Sequence, residues 1–510
     1  MSFELKIDLL EDEYWYGGCC DDGVKMPFGK ESDFHRDINI DFSTNQTCPF
    51  LVSSKGRYLW CESGFEFWFK DGVFTVVSNK SEPKLYEGFG TLKGAFLAAS
   101  KAHFVPSGKY PDLRFFSVPQ YNTWIEYVYN QSEENVLKYA KNLIENGYPA
   151  GVIMIDDNWH IRYGKLEFNH TAFPHPKEMI QKLHDMGFSV MLWTCPFVCA
   201  DNVEFRELQE KGLLVKDKDG KVAVREWWSG YSAELDVSNP AALEWFKAQL
   251  DILVNEYGVD GFKFDAGDAY FYKDDDINFG NLDANGMSEA WAKFGEQYKF
   301  NEYRACFKCG GRPLVQRLRD KEHSWGSNGI ASLVPDALAQ SIIGHPFVCP
   351  DMIGGGLSSS FWEQIDSLDF ELFVRYAQTA ALMPMMQYSA APWRVLDKEH
   401  AELCLKSAKI HTDFAPIIEQ EVKKSATTGE PIIRYLEYVF PNENLAEITD
   451  QFMLGDTVLV APVGKKGEFK RNVVLPKGNW TAQDGTVYEG GKAVSVNAPL
   501  DTLPIFILQK

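Results

Sequence analysis

Between about residue 112 and residue 415 the chain repeats one unit, a short apolar run followed by an amphipathic helical stretch. FFSVPQYNTW precedes ENVLKYAKNLIENG, GVIMIDDNW precedes PKEMIQKLHDMG, SVMLWTCPF precedes FRELQEKG, and VDGFKFDAG precedes SEAWAKFGEQY. RPLVQRLRD, HPFVCPDM and LMPMMQYSA continue the series. The clearest helical stretches close on Gly, a helix-terminating signal. Strand–helix units repeated over about 300 residues predict an α/β fold, a parallel (β/α)8 TIM barrel. An open doubly wound sheet would want a Gly-rich phosphate loop after its first strand, and PQYNTW is not one.

The flanks have a different texture. Up to residue 111, CPFLVSSKGRYLW, FEFWFKDG and VFTVVS are short aromatic and β-branched runs cut by turn residues, which predicts an N-terminal β-sandwich over 1–111. The barrel then spans 112–415. Over 416–510, QFMLGDTVLVAPV, RNVVLPKGNWTA and LPIFILQK predict one or two C-terminal β domains. The loop WYGGCCDD (Trp15–Asp22) is Gly-, Cys- and acid-rich and is placed to reach a neighbouring site.

Charge and composition exclude several function classes. The 510 residues carry 51 bases and 72 acids, a net charge of −21, so nucleic acid and anionic membrane surfaces are repelled. No run reaches the ~18–20 apolar residues of a membrane helix. MSFELKIDLLEDEYW has acids where a secretion signal needs bases, which predicts a cytoplasmic protein. The ten cysteines follow no framework spacing and read as thiols, Cys306 and Cys309 making a lone CxxC. Self-association is left open. Aromatics make up 14% of the chain, which suits either a large aromatic core or a cleft for flat, partly apolar ligands such as sugars.

In a barrel of this kind chemistry sits at the C-terminal strand ends. The predicted ends carry Asn122 and Trp124; Asp156, Asp157 and Trp159; Trp193 and Cys195; Asp265 and Asp268; Arg317, Arg319 and Asp320; Asp351; and Gln387 with Tyr388. Any single Asp here can be a helix cap. Several acids gathered at one face repel each other and need a reason. A divalent metal is one reason. Paired carboxyls that cleave a glycosidic bond, with tryptophans stacked on the sugar, are another. No His falls inside these strand ends, which favours the sugar reading and no metal or cofactor.

GFKFDAGD resembles the nucleophile motif of glycoside hydrolase family 31. IDDNW with FNHTAFPHPKEMIQKLHDMGFSVMLW, PDMIGGG, ELFVRYAQTAALMPMMQYS, CPFLVSSKG and QFMLGDTVLVAPV resemble further segments of that family, in order, from about residue 48 to the C-terminus. The resemblance implies a retaining exo-α-glycosidase without cofactor, acting on an oligosaccharide or other glycoside. It implies Asp265 as nucleophile and, from the Trp five positions after the acid in RDKEHSW, Asp320 as acid/base, with Glu322 in reserve. Lys263 would keep Asp265 ionised. Trp124, Asp156, Asp157, Trp193, Asp268, Arg317, Trp325, Asp351 and Gln387 would surround the sugar. Where many α-glucosidases of the family carry Arg-x-His, this chain has Gln387-Tyr388-Ser389 and then APWR. That departure, with WYGG and DKEHSWG, resembles a branch of the family with α-galactosidase activity. The alternatives are an α-glucosidase, α-xylosidase or transglycosylase of the same family, and a catalytically silent sugar-binding protein on the same scaffold.

Overall fold

The computed structural model describes residues 2–40, 42–43 and 45–509. Eight parallel strands form the central sheet: Gln120–Asn122, Val152–Ile155, Ser189–Thr194, Gly261–Phe264, Phe300–Tyr303, Val315–Arg317, Val348–Cys349 and Gln387–Tyr388. They neighbour one another in chain order, and the eighth pairs with the first, Gln387 facing Gln120. The seam between the seventh and eighth strands is bridged by Met385 N–H to Val348 O at 3.1 Å and Ile353 N–H to Gln387 O at 2.9 Å. The sheet is therefore a nearly closed barrel, as the alternating pattern predicts.

Helices cover the outside for reasons visible in their sequences. In Glu133–Glu145 the buried residues Val136, Tyr139, Ala140 and Leu143 follow helical spacing. The Ser132 side chain caps it by accepting from the Asn135 N–H. The fifth unit departs from the repeat. Among the described residues no helix joins Phe300–Tyr303 to Val315–Arg317; the connection instead carries Cys306–Phe307, which pairs in parallel with Gln46–Thr47. That strand docks the N-terminal region directly onto the barrel.

The N-terminal region is two β-sheets. One is four-stranded, and the other, centred on Gln46–Ser53, includes Trp15–Cys19, Tyr58–Trp60 and Lys84–Tyr86. Rings of Phe28, Phe67, Phe69 and Phe74 pack between them. The segment read as β up to residue 111 also holds a helix, Leu92–His103, whose Leu92, Ala95, Phe96 and Ala99 are buried at helical spacing. At the other end the helix Lys398–Thr428 runs unbroken through residue 415, where the sequence texture places a boundary. Beyond it lies a six-stranded sheet with a two-stranded ribbon. Arg375, fully buried on a barrel helix, donates to the carbonyls of Ala498 (2.8 Å), Glu468 (3.2 Å), Thr502 (3.3 Å) and Pro499 (3.4 Å) and so clamps this domain to the barrel.

Candidate active site

The strand Gly261–Phe264 is fully buried, and Asp265 is the first residue beyond it. Two positive φ angles follow, at Ala266 (54°) and Gly267 (72°). They turn the chain sharply, so that Asp265 faces the barrel mouth and Asp268 folds back beneath it. A Cβ on Gly267 would lie 2.2 Å from the Trp291 ring, so glycine is required here on two counts.

The Asp265 carboxylate is held from several sides. Trp193 Nε1 donates to Oδ2 at 2.8 Å, and the Ala266 N–H donates to Oδ1 at 3.0 Å. Lys263 Nζ stands 3.6 Å from Oδ2, and Arg304 Nε stands 3.5 Å from Oδ1. Burial alone would raise its pKa. The cations Lys263, Arg304 and Arg317 and the Trp193 hydrogen bond overcome burial and hold the carboxyl well below the usual range. Asp265 is therefore a buried carboxylate kept ionised.

A cavity of about 260 Å³ opens over it. Of the expected site residues, Asp156, Asp157, Trp124, Trp193, Lys263, Arg317 and Asp320 line it, together with Tyr129, Trp228, Arg304, Leu357 and Ser358. Lys263 donates to Asp156 Oδ2 at 2.9 Å. Asp157 accepts from Tyr163 OH at 2.9 Å; burial, reinforced by the charge of Asp156, pushes it up to about 7. Asp320 accepts from Arg317 Nη1 at 2.8 Å, and its side chain is 33% exposed. A buried ionised acid and a second, more open acid thus share one small cavity with three tryptophans.

Five expected site residues lie elsewhere. Glu322 bonds Ser324 (3.3 Å) and Asn328 (3.4 Å) within its own loop and does not line the cavity. The Trp325 indole turns away to Asp369 Oδ2 at 2.9 Å and lines a different cavity, against the C-terminal domain. Gln387 points into the barrel interior and donates to Glu302 Oε2 at 3.1 Å. Asp351 is spent on Arg317 (2.9 Å) and on the N–H groups of Lys321 and Gly356 (both 2.6 Å); burial, against the pull of Arg317, pushes it up to about 6. Asp268 sits behind Arg304 and pairs with its guanidinium. Asp351 and Asp268 pair instead with Arg317 and Arg304, which line the cavity.

Arg304 and Trp228 are the main residues that sequence reasoning missed. Arg304 follows the fifth strand, whose polar FNEY lacks the apolar signature of its neighbours. Its signal was the same as elsewhere, a charged residue at a strand end. Trp228 lies between the hairpin strands Val224–Trp227 and Gly230–Glu234 and stacks on Arg304, 4.8 Å from guanidinium carbon to ring centre.

Residues 118–419 match the glycosyl hydrolases family 31 TIM-barrel domain, and residues 429–509 match the glycosyl hydrolase family 31 C-terminal domain. The chain belongs to glycoside hydrolase family 31. It is 32% identical over 410 residues to the myogenesis-regulating glycosidase of Mus musculus, covering 79% of this chain and 57% of that protein. It is 27% identical to alpha-xylosidase XylQ of Lactiplantibacillus pentosus, covering 74% and 51% respectively. The chain thus spans little more than half the length of these relatives. In fold it superposes on a Flavobacterium johnsoniae family 31 dextranase complexed with glucose with a TM-score of 0.85 at 20% identity, covering 99% of this chain and 66% of that one.

Proposed function

We propose that this chain is a retaining exo-α-glycosidase that removes a terminal α-linked hexose, with α-galactosides as its favoured substrates. The observation that carries the reading is the pairing at the cavity. Asp265, buried and held ionised by Lys263 and Arg304, opens onto the space that Asp320 also lines. Retaining hydrolysis needs two such carboxyls with different duties.

An Asp265 oxygen attacks the anomeric carbon, and the glycosidic C–O bond breaks. The departing oxygen keeps the electron pair and takes the proton of Asp320. Asp320, now a carboxylate, removes a proton from water as the water oxygen attacks the anomeric carbon, and the Asp265 ester is released. Trp124 and Trp193 supply apolar faces to the ring, and Asp156 and Lys263 supply acceptors and a donor for its hydroxyls. A cavity of about 260 Å³ lies at the small end of ligand sites and suits one terminal ring.

The preference for galactosides rests on the resemblance of WYGG, DKEHSWG and Gln387-Tyr388-Ser389 to one branch of the family; Gln387 itself is turned to Glu302 and supplies no group to the cavity. The similarity to an alpha-xylosidase supports a second reading, an α-xylosidase. Nitrophenyl α-galactoside, α-glucoside and α-xyloside separate them: higher kcat/KM on either of the latter two overturns the galactoside reading. Asp265→Asn should abolish turnover of all three with the fold intact. Retained hydrolysis would remove Asp265 as nucleophile, and no turnover by the parent protein on any glycoside would favour a silent sugar-binding protein. Among the described residues no helix is long and apolar enough to cross a membrane. Buried thiols such as Cys48, Cys195 and Cys404 fit a reducing compartment such as the cytoplasm.

A further inference from the structure

The loop that carries Asp320 is anchored by a buried ion pair that the mechanism does not use. Lys321, the next residue, turns its side chain away from the cavity. It pairs with Asp336 in the first turn of helix Leu333–Ile342, and both side chains are 1% exposed or less. The Lys321 N–H donates to Asp351 at 2.6 Å, and its carbonyl accepts from the Leu357 N–H at 3.0 Å. On the other side of Asp320, Arg319 Nε lies 3.3 Å from Asp21 of the N-terminal region.

The same N-terminal segment braces Asp336. Cys20 Sγ donates to the Asp336 carbonyl at 3.3 Å. A Cβ on Gly23 would lie 2.5 Å from the Pro335 carbonyl and 2.6 Å from the Asp336 nitrogen, so the two backbones are in direct contact. A buried ion pair contributes little net stability compared with apolar residues of similar size. Its consequence is directional: it fixes where the backbone of residue 321, and therefore the side chain of residue 320, can stand.

We propose that Lys321 and Asp336 are positioning residues for the Asp320 acid, and that the N-terminal segment Cys19–Lys25 completes this support. The inference rests on the reading of Asp320 as acid/base. Proton delivery to a departing oxygen depends on placement within hydrogen-bond reach. A loosened acid therefore slows substrates whose leaving group needs the proton and spares those whose leaving group departs unaided.

The experiment compares a disaccharide with a 2,4-dinitrophenyl glycoside of the same preferred sugar. The double variant Lys321→Met/Asp336→Leu replaces the ion pair with apolar contact. It should lose about tenfold or more in kcat on the disaccharide and less than roughly threefold on the dinitrophenyl glycoside. Asp336→Asn, close to isosteric, should show the same selectivity and carries the test if the double variant does not fold. Equal losses on both substrates, or none on either, in protein with the parent circular dichroism would overturn the proposal. Asp320→Ala is the reference: if it shows no selectivity for the good leaving group, the acid assignment itself fails, independently of Lys321 and Asp336.

Discussion

Lys263→Met tests the electrostatics of Asp265, the proposed nucleophile, most directly. The ammonium lies 3.6 Å from Asp265 and 2.9 Å from Asp156, and all three groups are buried. At an effective dielectric of ~20, Coulomb's law gives about 4–5 kcal/mol for unit charges at the longer distance, which sets a ceiling of about 3 pH units on the pKa change of Asp265. Arg304 and Arg317 remain, so a rise of about 1–3 units is expected. The sign follows from the lowered pKa. In the parent, ionised Asp265 contributes stability above the unfolded carboxyl pKa of about 4, and this is lost only as pH falls through the depressed native value. Without Lys263 that window moves upward, and so does the loss of the Asp265 carboxylate on acidification. The assay is kcat/KM on the preferred nitrophenyl glycoside from pH 8 down to the lowest pH at which circular dichroism shows both proteins folded, with thermal melting alongside. The acid limb should move up by at least about one unit, and unfolding free energy should fall by about 3–5 kcal/mol as buried acids lose their partner. An acid limb that superimposes on the parent's in folded Lys263→Met protein would refute the reasoning.

Trp193→Phe keeps the aromatic face but deletes the 2.8 Å donor to Asp265; a hydrogen bond to a charged group is worth about 1.5–3 kcal/mol, so unfolding free energy should fall by about that much and the acid limb of kcat/KM should move up, and parent-like melting with an unmoved limb would count against the bond. Asp157, pushed up to about 7 by burial and Asp156, holds stability that is present below pH ~4 and lost as pH rises toward 7, at most about 4 kcal/mol. In Asp157→Asn the difference in melting temperature between pH 4.5 and 7.5 should therefore narrow, and an unchanged difference would count against a protonated Asp157. Gly267→Ala should yield little folded protein, because its methyl meets the Trp291 ring at a backbone angle that favours glycine; parent-like melting would contradict the close approach.

The barrel was legible wherever a strand was apolar throughout. GVIMI and SVMLW can only be buried, and their positions follow at once. The fifth strand escaped notice because Asn301 and Glu302 look solvent-facing. Inside the barrel Asn301 donates to the Tyr298 (2.8 Å) and Pro313 (3.0 Å) carbonyls, and Glu302 faces Gln387 and Arg317. Polar residues that find partners can line a buried strand, and periodicity cannot see the partners. The site shows the same division. Strand ends name the right neighbourhood, but side-chain direction decides whether a residue faces the cavity, as Lys263 does, or the interior below it, as Gln387 does. Trp325 kept the expected spacing from Asp320, yet its indole went to Asp369, a partner 44 residues away.

The charge balance in and around the cavity sets neighbouring acids apart. Asp156, Asp157, Asp265, Asp268, Glu302, Asp320 and Asp351 cluster around three cations, Lys263, Arg304 and Arg317. Seven carboxyls outnumber three cations here, and burial raises the pKa of Asp157, Asp268, Glu302 and Asp351, so some acids hold protons more readily than others. Geometry decides which. Asp265 lies within 4 Å of two cations, Lys263 and Arg304, and accepts an indole hydrogen bond as well. Arg317 is instead divided among Asp320, Asp351 and Glu302. Negative charge is thus concentrated at the end of the fourth strand, where the proposed attack on a sugar needs it. Protons are left to the acids with fewer partners, Asp157 among them. Adding a cation near Asp157 would spread ionisation and blur that distinction, which is why the placement of the three cations, more than the number of acids, makes the ring of carboxyls chemically useful.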